Sequence, residues 1–315
     1  MKQGWIQVED NGTQEPLAPK TMADMVYMDE TESRTVKDAL GGFGGSEAGV
    51  GINCNFLNPI VQRGTSFPAG TTQIYTIDRW MRAEGSVSLK VEYAGGLRLT
   101  AGAGAGYARL QQYVDDYIHI SGGPMTLSAN IDGVVYSVTG MLSTTPVSLN
   151  TPKGTIWFGV RPTNASHIGF GVDTSAGKMQ TVQWIKLEPG ASATPFIPRP
   201  YSMEYSLCLR YYSLLFYYTQ FFGYTWISSQ SVFALPVPTP MRVAPSLVGI
   251  NPSAWSVRFN NGSVMPATNL AINHAVHTQI SLLASHGHTT GAVNSPSVLS
   301  ITGSGAQGGL DAEIY

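Results

Sequence analysis

The chain has 315 residues, of which only 12% are charged, and its net charge is −2. No basic cluster is present and no run approaches the roughly 18 apolar residues that cross a bilayer, so we expect neither nucleic-acid binding nor membrane insertion. The two cysteines, Cys54 and Cys208, lie far apart, which excludes a disulfide framework and predicts two buried thiols.

Charge is concentrated at the start of the chain. Residues 1–40 hold twelve charged side chains, and residues 41–51 hold six glycines. A glycine-rich stretch has little preferred conformation and is typical of a flexible joint. We therefore predict a separate small N-terminal segment over residues 1–45.

The next stretch, from Ile52 to Glu188, alternates apolar and polar residues with period two. Such alternation predicts strands that are buried on one face, and Asp132-Gly133 between two of them predicts a hairpin. Eight to ten short strands of this kind indicate a β-sandwich or jelly roll over residues 46–200, with a core that includes Trp80, Trp157 and Trp184.

Prolines stiffen the chain after this region. Pro195, Pro198 and Pro200 predict an extended connector, and the run YSMEYSLCLRYYSLL that follows predicts a helix of about three turns. Leu207, Tyr211 and Leu214 fall on one apolar face of that helix. The helix is either a core helix of its own domain or a helix held between chains, and these three residues are our candidates for an oligomer interface.

Residues 216–315 return to strand-like patterns, so residues 201–315 are predicted to form a short helix and a smaller C-terminal β-sandwich. The predicted fold class is therefore all-β. Residues 211–315 hold four charged side chains, and this is fewer than a free domain of that size normally carries. Either partner chains cover the surface or the surface suits a neutral ligand. The four charged side chains are those of Arg242, Arg258, Asp311 and Glu313.

Three runs resemble a known family: NFLNPIVQRGTS…YTIDRWM (55–81), RLQQYV…ISGGPMTLSANI (109–131) and KLEPGASATPFIPRPYSMEYSLCLRYY (186–212). They resemble the jelly-roll module of bacteriophage fibre and receptor-binding proteins, which is similar to carbohydrate-binding modules. The N-terminal GWIQVEDNGTQEPLAPKTMADMVYM is similar to the virion-attachment segment of some phage fibres. Leu209 departs from the pattern, since the family often has Gln there.

The resemblance implies a structural protein of a tailed-phage virion, located in a tail or capsid fibre and without enzymatic activity. It further implies a homotrimer that is attached through residues 1–45 and displays β-domains to host-surface glycans. Trp226 and Trp255 lie near turn-rich segments of the C-terminal region, so they are the candidate glycan platforms. We expect no cofactor.

Four histidines cluster between residues 274 and 288: His274, His277, His286 and His288. In a trimer, His286 and His288 could place six imidazoles around one metal ion on the three-fold axis. Ordinary loop histidines are the alternative, and we adopt it and expect no metal site.

Catalysis has little support in the sequence. Asp115 and Asp116 are adjacent, and neighbours on a strand point to opposite faces, so they do not make a glycosidase pair. Two alternatives to the glycan-binding fibre are kept: a purely architectural capsid-fibre, baseplate or tail component, and a glycan hydrolase.

Overall fold

The structure is a computed structural model that describes residues 49–83, 85–114, 123–160, 167–215, 220–235, 237, 239–275, 280–287, 293–301 and 308–313. The predicted attachment segment, residues 1–45, lies outside the described residues, as do Asp115, Asp116, His277 and His288.

The first unit is a β-sandwich of two antiparallel six-stranded sheets. Sheet A has the strand order β1-β4-β5-β12-β7-β8, and sheet B has the order β2-β3-β6-β11-β10-β9. The strands are β1 (Ser66–Gly70), β2 (Ile74–Tyr75), β3 (Met81–Ala83), β4 (Leu89–Tyr93), β5 (Leu97–Ala101), β6 (Tyr107–Val114), β7 (Pro124–Ile131), β8 (Val134–Met141), β9 (Val147–Thr151), β10 (Gly154–Val160), β11 (Ile168–Ser175) and β12 (Met179–Pro189).

The core between the sheets follows from the period-two pattern. In β5, Leu97 and Leu99 are buried whereas Arg98 between them is exposed. These leucines of sheet A share one apolar cluster with Leu110 and Phe170 of sheet B. The predicted all-β sandwich is confirmed, and the finer assignment to a jelly roll stays a prediction.

The predicted hairpin is confirmed at Asp132-Gly133, which joins β7 to β8. Both residues have positive φ, 52° and 84°, as the two central residues of a type I′ turn require. Glycine and aspartate tolerate this left-handed conformation better than most residues do.

The connector after β12 is held against the sandwich by a buried pair. Lys186 and Glu188 point the same way from β12, and the Lys186 Nζ lies 2.9 Å from the Glu188 Oε2. Glu188 also accepts hydrogen bonds from the Thr194 N–H (2.9 Å) and from the Thr194 hydroxyl (2.6 Å). These bonds fix the start of the proline segment, which is extended as predicted, with φ −52° and ψ 139° at Pro200.

The predicted helix is shorter than expected. Helix α1 (Tyr201–Leu209) ends before Tyr211, and the chain continues as strand β13 (Tyr212–Leu215). Tyr212–Leu215 pairs with a strand at the far end of the sequence, Gly308–Asp311. The prediction that Leu207, Tyr211 and Leu214 lie on one helical face is wrong, because this long-range pairing overrides the local spacing.

The second unit is also all-β. Its further elements are β14 (Gln220–Ile227), β15 (Gln230–Leu235), β16 (Ser246–Val248), a 3-10 helix (Pro252–Ala254), β17 (Trp255–Phe259), β18 (Val264–Ala275), β19 (Ile280–His286), β20 (Pro296–Ile301) and β21 (Gly308–Asp311). Six strands form a closed barrel in the order β14-β15-β19-β18-β17-β20, and β13, β21 and β16 form a small sheet beside it. Because β14 pairs with both β15 and β20, the predicted sandwich has the form of a barrel without open edges.

The remaining core predictions are confirmed in part. Cys54 and Cys208 are buried free thiols, and burial raises the pKa of both above the usual value. Trp80 is buried in the core between the sheets, whereas Trp157 is buried on the outer face of sheet B, so the prediction that Trp157 lies in the core is wrong. Trp184 is half-buried on sheet A, where its ring stacks on Phe196 of the connector at 5.0 Å between ring centroids.

Candidate functional site

The candidate platform Trp255 lies inside the barrel. Its side chain is fully buried, and its ring stacks on Phe221 with 6.1 Å between the ring centroids and 16° between the planes. In β17 the buried positions alternate, and Trp255 shares the inner face with Val257 and Phe259. The prediction of a glycan platform at Trp255 is therefore wrong, because a ring in the core cannot stack on a sugar at the surface.

Trp226 lies on the outside of the barrel with two further rings. Phe222, Tyr224 and Trp226 occupy alternate positions of β14, and 72%, 46% and 48% of their surface is exposed. We call this row the β14 stripe. Phe222 and Tyr224 were not predicted as candidates, although the period-two alternation of FFGYTWI indicates that they share a face with Trp226.

The surroundings of the β14 stripe are apolar. Val232 lies opposite Tyr224 on β15, and Pro296 lies opposite Tyr224 on β20. Val298 of β20 lies opposite Phe222. These three neighbours add no hydrogen-bonding side chain to the stripe, and exposed aromatic rings with apolar neighbours resemble the centre of a protein contact.

The charged residues of the second unit lie elsewhere. Asp311 and Glu313 are buried. Arg242 is half-buried and donates hydrogen bonds to the carbonyl groups of Ala312 (3.0 Å) and Glu313 (3.1 Å). Among the described residues after Tyr211, Arg258 is the only charged side chain that is exposed. The barrel exterior is thus almost uncharged.

A polar and aromatic cluster lies on the outer face of sheet B, and we call it the sheet B cluster: Tyr107, Arg109, Trp157 and Asp173. Arg109 binds Asp173 through two hydrogen bonds, from Nε (2.8 Å) and Nη2 (2.9 Å). The Trp157 indole N–H donates to the same carboxylate at 3.1 Å. The three side chains thus hold one another in fixed positions.

The Arg109 guanidinium lies over two aromatic rings. Its carbon Cζ is 4.1 Å from the Trp157 ring centroid and 5.1 Å from the Tyr107 ring centroid. Burial alone would lower the pKa of Arg109, but the hydrogen bonds and charge of Asp173 outweigh it and raise that pKa. Arg109 is therefore a permanent cation.

The sheet B cluster reaches solvent at Tyr107 and continues across the sheet. The Tyr107 ring is 40% exposed. Asn150, Thr155, Asp173 and Arg109 lie side by side on β9, β10, β11 and β6. Asn150 is exposed and accepts a hydrogen bond from the Thr155 hydroxyl at 3.1 Å. The exposed Tyr107 ring thus lies beside Arg109, and a row of polar side chains runs from Arg109 across the sheet to Asn150.

The two units meet at a buried group of charges, which we call the junction cluster: Arg63, Asp78, Arg79, Asp311 and Glu313. Arg79 forms an ion pair with Glu313, and both side chains are at most 1% exposed. Arg63 lies 3.2 Å from Asp311 and 3.5 Å from Glu313. Arg79 has a φ of 71°, a left-handed conformation that is uncommon for a residue other than glycine.

Two tyrosines complete this contact. The Arg79 Cζ is 3.5 Å from the Tyr211 ring centroid, and the Arg63 Cζ is 3.7 Å from the Tyr212 ring centroid. Tyr211 is thus buried against its own chain, and the prediction that it lies in an oligomer interface is wrong. Leu207 and Leu214 are half-buried, and their role between chains stays a prediction.

Asp78 is a buried carboxyl of the junction cluster whose pKa is raised. It accepts hydrogen bonds from the Gln62 backbone N–H (2.6 Å) and side-chain amide (2.8 Å). Burial raises its pKa to about 7, although the Arg63 charge and the Gln62 hydrogen bonds act in the opposite direction and the Glu313 charge adds to the rise. The Asp78 carboxyl therefore changes charge near neutral pH.

Several of the residues in the runs that carry the family resemblance lie at this contact. The run 55–81 contributes Arg63, Asp78 and Arg79, and the run 186–212 contributes Tyr211 and Tyr212. Parts of these two runs thus join the sandwich to the second unit, whereas the third run, 109–131, begins at Arg109 of the sheet B cluster.

The small pocket beside the connector encloses about 20 Å³, which is room for about one water molecule. Asn53, Asn55, Phe196, Arg199 and Glu204 are among its lining residues. A saccharide does not fit into it.

The predicted histidine cluster is only partly described. His286 is buried in the barrel, where its Nε2 lies 3.1 Å from the Ser231 hydroxyl and its ring meets Phe259 edge-on. The suggestion that His286 binds a metal on an axis between chains is therefore wrong. His274 is exposed on β18. Within the described ranges, no group of three or more His, Cys, Asp or Glu side chains could hold a metal ion.

Comparison of the chain with protein-family models, curated proteins and solved structures finds no match. No helix in the described part of the chain has the length and apolar character needed to cross a membrane.

Proposed function

We propose that this chain is a non-enzymatic structural protein of a tailed-phage virion, a fibre that displays β-domains for recognition of host-surface glycans. The sequence runs that resemble phage fibre proteins support the proposal, and so does the division into a sandwich and a barrel joined by buried ion pairs. Residues 1–45 would attach the fibre to the virion, and the chain would assemble as a homotrimer.

The sheet B cluster is the observation that carries the glycan-binding role. The exposed Tyr107 ring supplies a flat apolar face, and sugar rings stack on such faces. Arg109 supplies polar groups at its side, and Asn150 supplies another on the same face, three strands away. Asp173 and Trp157 hold Arg109 in place before any ligand arrives, so little conformational entropy is lost on binding.

The test is a glycan array probed with the full chain, followed by titration of the saccharide that binds best. Tyr107→Ala removes the ring, and Arg109→Lys keeps the charge but removes the paired hydrogen bonds to Asp173. We expect each change to weaken binding by about tenfold or more.

Tyr201→Ala is the matched control, because Tyr201 is a half-exposed tyrosine on α1 away from sheet B. Binding that survives both cluster changes, or that Tyr201→Ala weakens equally, would contradict the site. Release of reducing sugar that a single Asp or Glu substitution abolishes would show a glycan hydrolase instead.

A purely architectural role is the second candidate, and the apolar β14 stripe favours it. A chain that assembles tightly into the particle and binds no saccharide on the array would support this candidate over glycan recognition.

A further inference from the structure

The β14 stripe exposes more apolar surface than a single row of side chains usually does. With about 200 Å² for each aromatic side chain, Phe222, Tyr224 and Trp226 together leave roughly 300 Å² in contact with water. Val232, Val298 and Pro296 extend this surface on both neighbouring strands. The largest apolar patch on a typical monomer is about this size and is often functional, and the three aromatic rings of the stripe are of the residue type that is enriched at protein interfaces.

The geometry restricts how a partner can bind there. The barrel is closed, so β14 already has β15 and β20 as neighbours and has no open edge for an added strand. The contact must therefore be made by side chains that pack face to face. Aromatic residues are enriched at the centres of such protein interfaces.

Charge decides between the candidate partners. Arg258 is the only exposed charged side chain among the described residues after Tyr211. It lies on β17, opposite Val298 of β20, and Val298 in turn lies opposite Phe222. A strongly charged partner would find almost no complementary charge. Identical faces from several copies meet without appreciable charge repulsion, because nearly all of the exposed side chains described in this unit are neutral.

We propose that the β14 stripe is the surface through which copies of this chain associate, barrel against barrel. The inference rests on the oligomeric part of the proposed function and gives it a contact surface, whereas it does not depend on glycan binding at sheet B. The proposed contact surface is separate from the interface candidates predicted from the sequence, Leu207, Tyr211 and Leu214. It also assigns Trp226 to a protein contact rather than to a sugar.

Sedimentation equilibrium of the full chain at micromolar concentration tests the proposal. We expect the unaltered chain to be an oligomer, and we expect Phe222→Ser and Trp226→Ser each to raise its dissociation constant by about tenfold or more. Phe222→Leu keeps an apolar side chain and should retain most of the association. Circular dichroism and the unfolding midpoint confirm that each variant is folded.

Val135→Ser is the matched control, since Val135 is an exposed apolar residue of β8 on the sandwich, 57% exposed, and should leave the mass unchanged. A monomeric unaltered chain overturns the proposal, and so does an oligomer whose mass the two stripe variants do not change. A monomer whose Trp226 fluorescence responds to an added polysaccharide would also overturn it. Because mass and array binding are measured separately, failure here is distinct from failure of the glycan site.

Discussion

The junction cluster and the β14 stripe invert the usual distribution of residues. At the junction, charged side chains are buried, and each arginine is held against a carboxylate and a tyrosine ring. At the β14 stripe, aromatic rings face solvent on a barrel with almost no exposed charge. Buried charges persist only with partners, and large exposed apolar surfaces usually have partners as well. The junction has its partner within the chain, and we infer that the stripe finds its partner in another copy.

Breaking the junction is expected to have the largest effect. Arg79→Met leaves the buried Glu313 carboxylate with only the more distant Arg63 as an ion-pair partner, at 3.5 Å, so we expect the free energy of unfolding to fall by up to about 3–5 kcal/mol. Urea unfolding measures it. Adding Glu313→Leu should recover much of the loss, since the uncompensated charge is then gone.

Lys90→Ala is the control for this experiment, because the Lys90–Glu92 pair is well exposed and should contribute no more than about 1 kcal/mol. An effect of Arg79→Met as small as that of Lys90→Ala would show that the junction pair does not stabilise the fold.

The two tryptophans of the barrel sharpen the contrast between buried and exposed rings. Trp255→Ala creates a cavity in the barrel core and should cost about 3–5 kcal/mol. Trp226→Ala, made on the Phe222→Ser background so that self-association does not contribute, should change stability by less than about 0.5 kcal/mol. Thermal unfolding distinguishes the two, and comparable losses would contradict the placement of Trp226 at the surface.

The pH dependence of stability tests the environment of Asp78. Its pKa of about 7 in the folded chain lies above the ordinary value of 3.8, so the folded state holds this proton more tightly than the unfolded state does. The resulting stabilisation is complete below about pH 4 and is lost as the pH rises towards and through 7.

Asp78→Asn should remove this part of the pH dependence. The unfolding midpoints of the two proteins should therefore converge near pH 4, where the Asp78 carboxyl is protonated and neutral. Near pH 8 the unaltered chain should be less stable than Asp78→Asn by an amount equivalent to a few kcal/mol. Asp132→Asn, at an exposed turn, serves as the control. Parallel curves for the unaltered chain and Asp78→Asn would refute the raised pKa.

A smaller effect is expected from the ring that faces Arg79. Tyr211→Leu keeps an apolar side chain but removes the ring face under the guanidinium, and we expect a loss of about 1–2 kcal/mol. Tyr211→Phe keeps the face and should cost less. If both variants unfold at the same urea concentration, the cation–π contact contributes nothing measurable.

Local sequence patterns were sufficient to predict most of the fold. Strict alternation, as in Leu97 and Leu99, fixes which side of a strand is buried, and Asp132-Gly133 is one of few sequences that fit a tight hairpin turn. The end of α1 could not be predicted in this way. Helical spacing continued to Leu214, but pairing with β21 at the other end of the chain placed Tyr212–Leu215 in a strand.

The candidate surfaces depended even more on distant parts of the chain. Trp226 and Trp255 both lie in alternating segments near turns, and only barrel closure placed one ring outside and the other inside. Arg109 and Asp173 are far apart in sequence, so their pairing across β6 and β11 follows from strand register and from no local signal.

By itself, the sequence determined the all-β class, the order of sandwich, helix and second β-unit, and the burial of both cysteines. These follow from local periodicity, from turn residues and from composition, which neighbouring residues encode. The tertiary structure alone decided that the second unit closes into a barrel, that Tyr211 packs under Arg79, and that Phe222, Tyr224 and Trp226 share an exposed face. The reason is physical: strand register and closure are set by contacts between residues far apart in the chain, and no local pattern specifies which of them will meet.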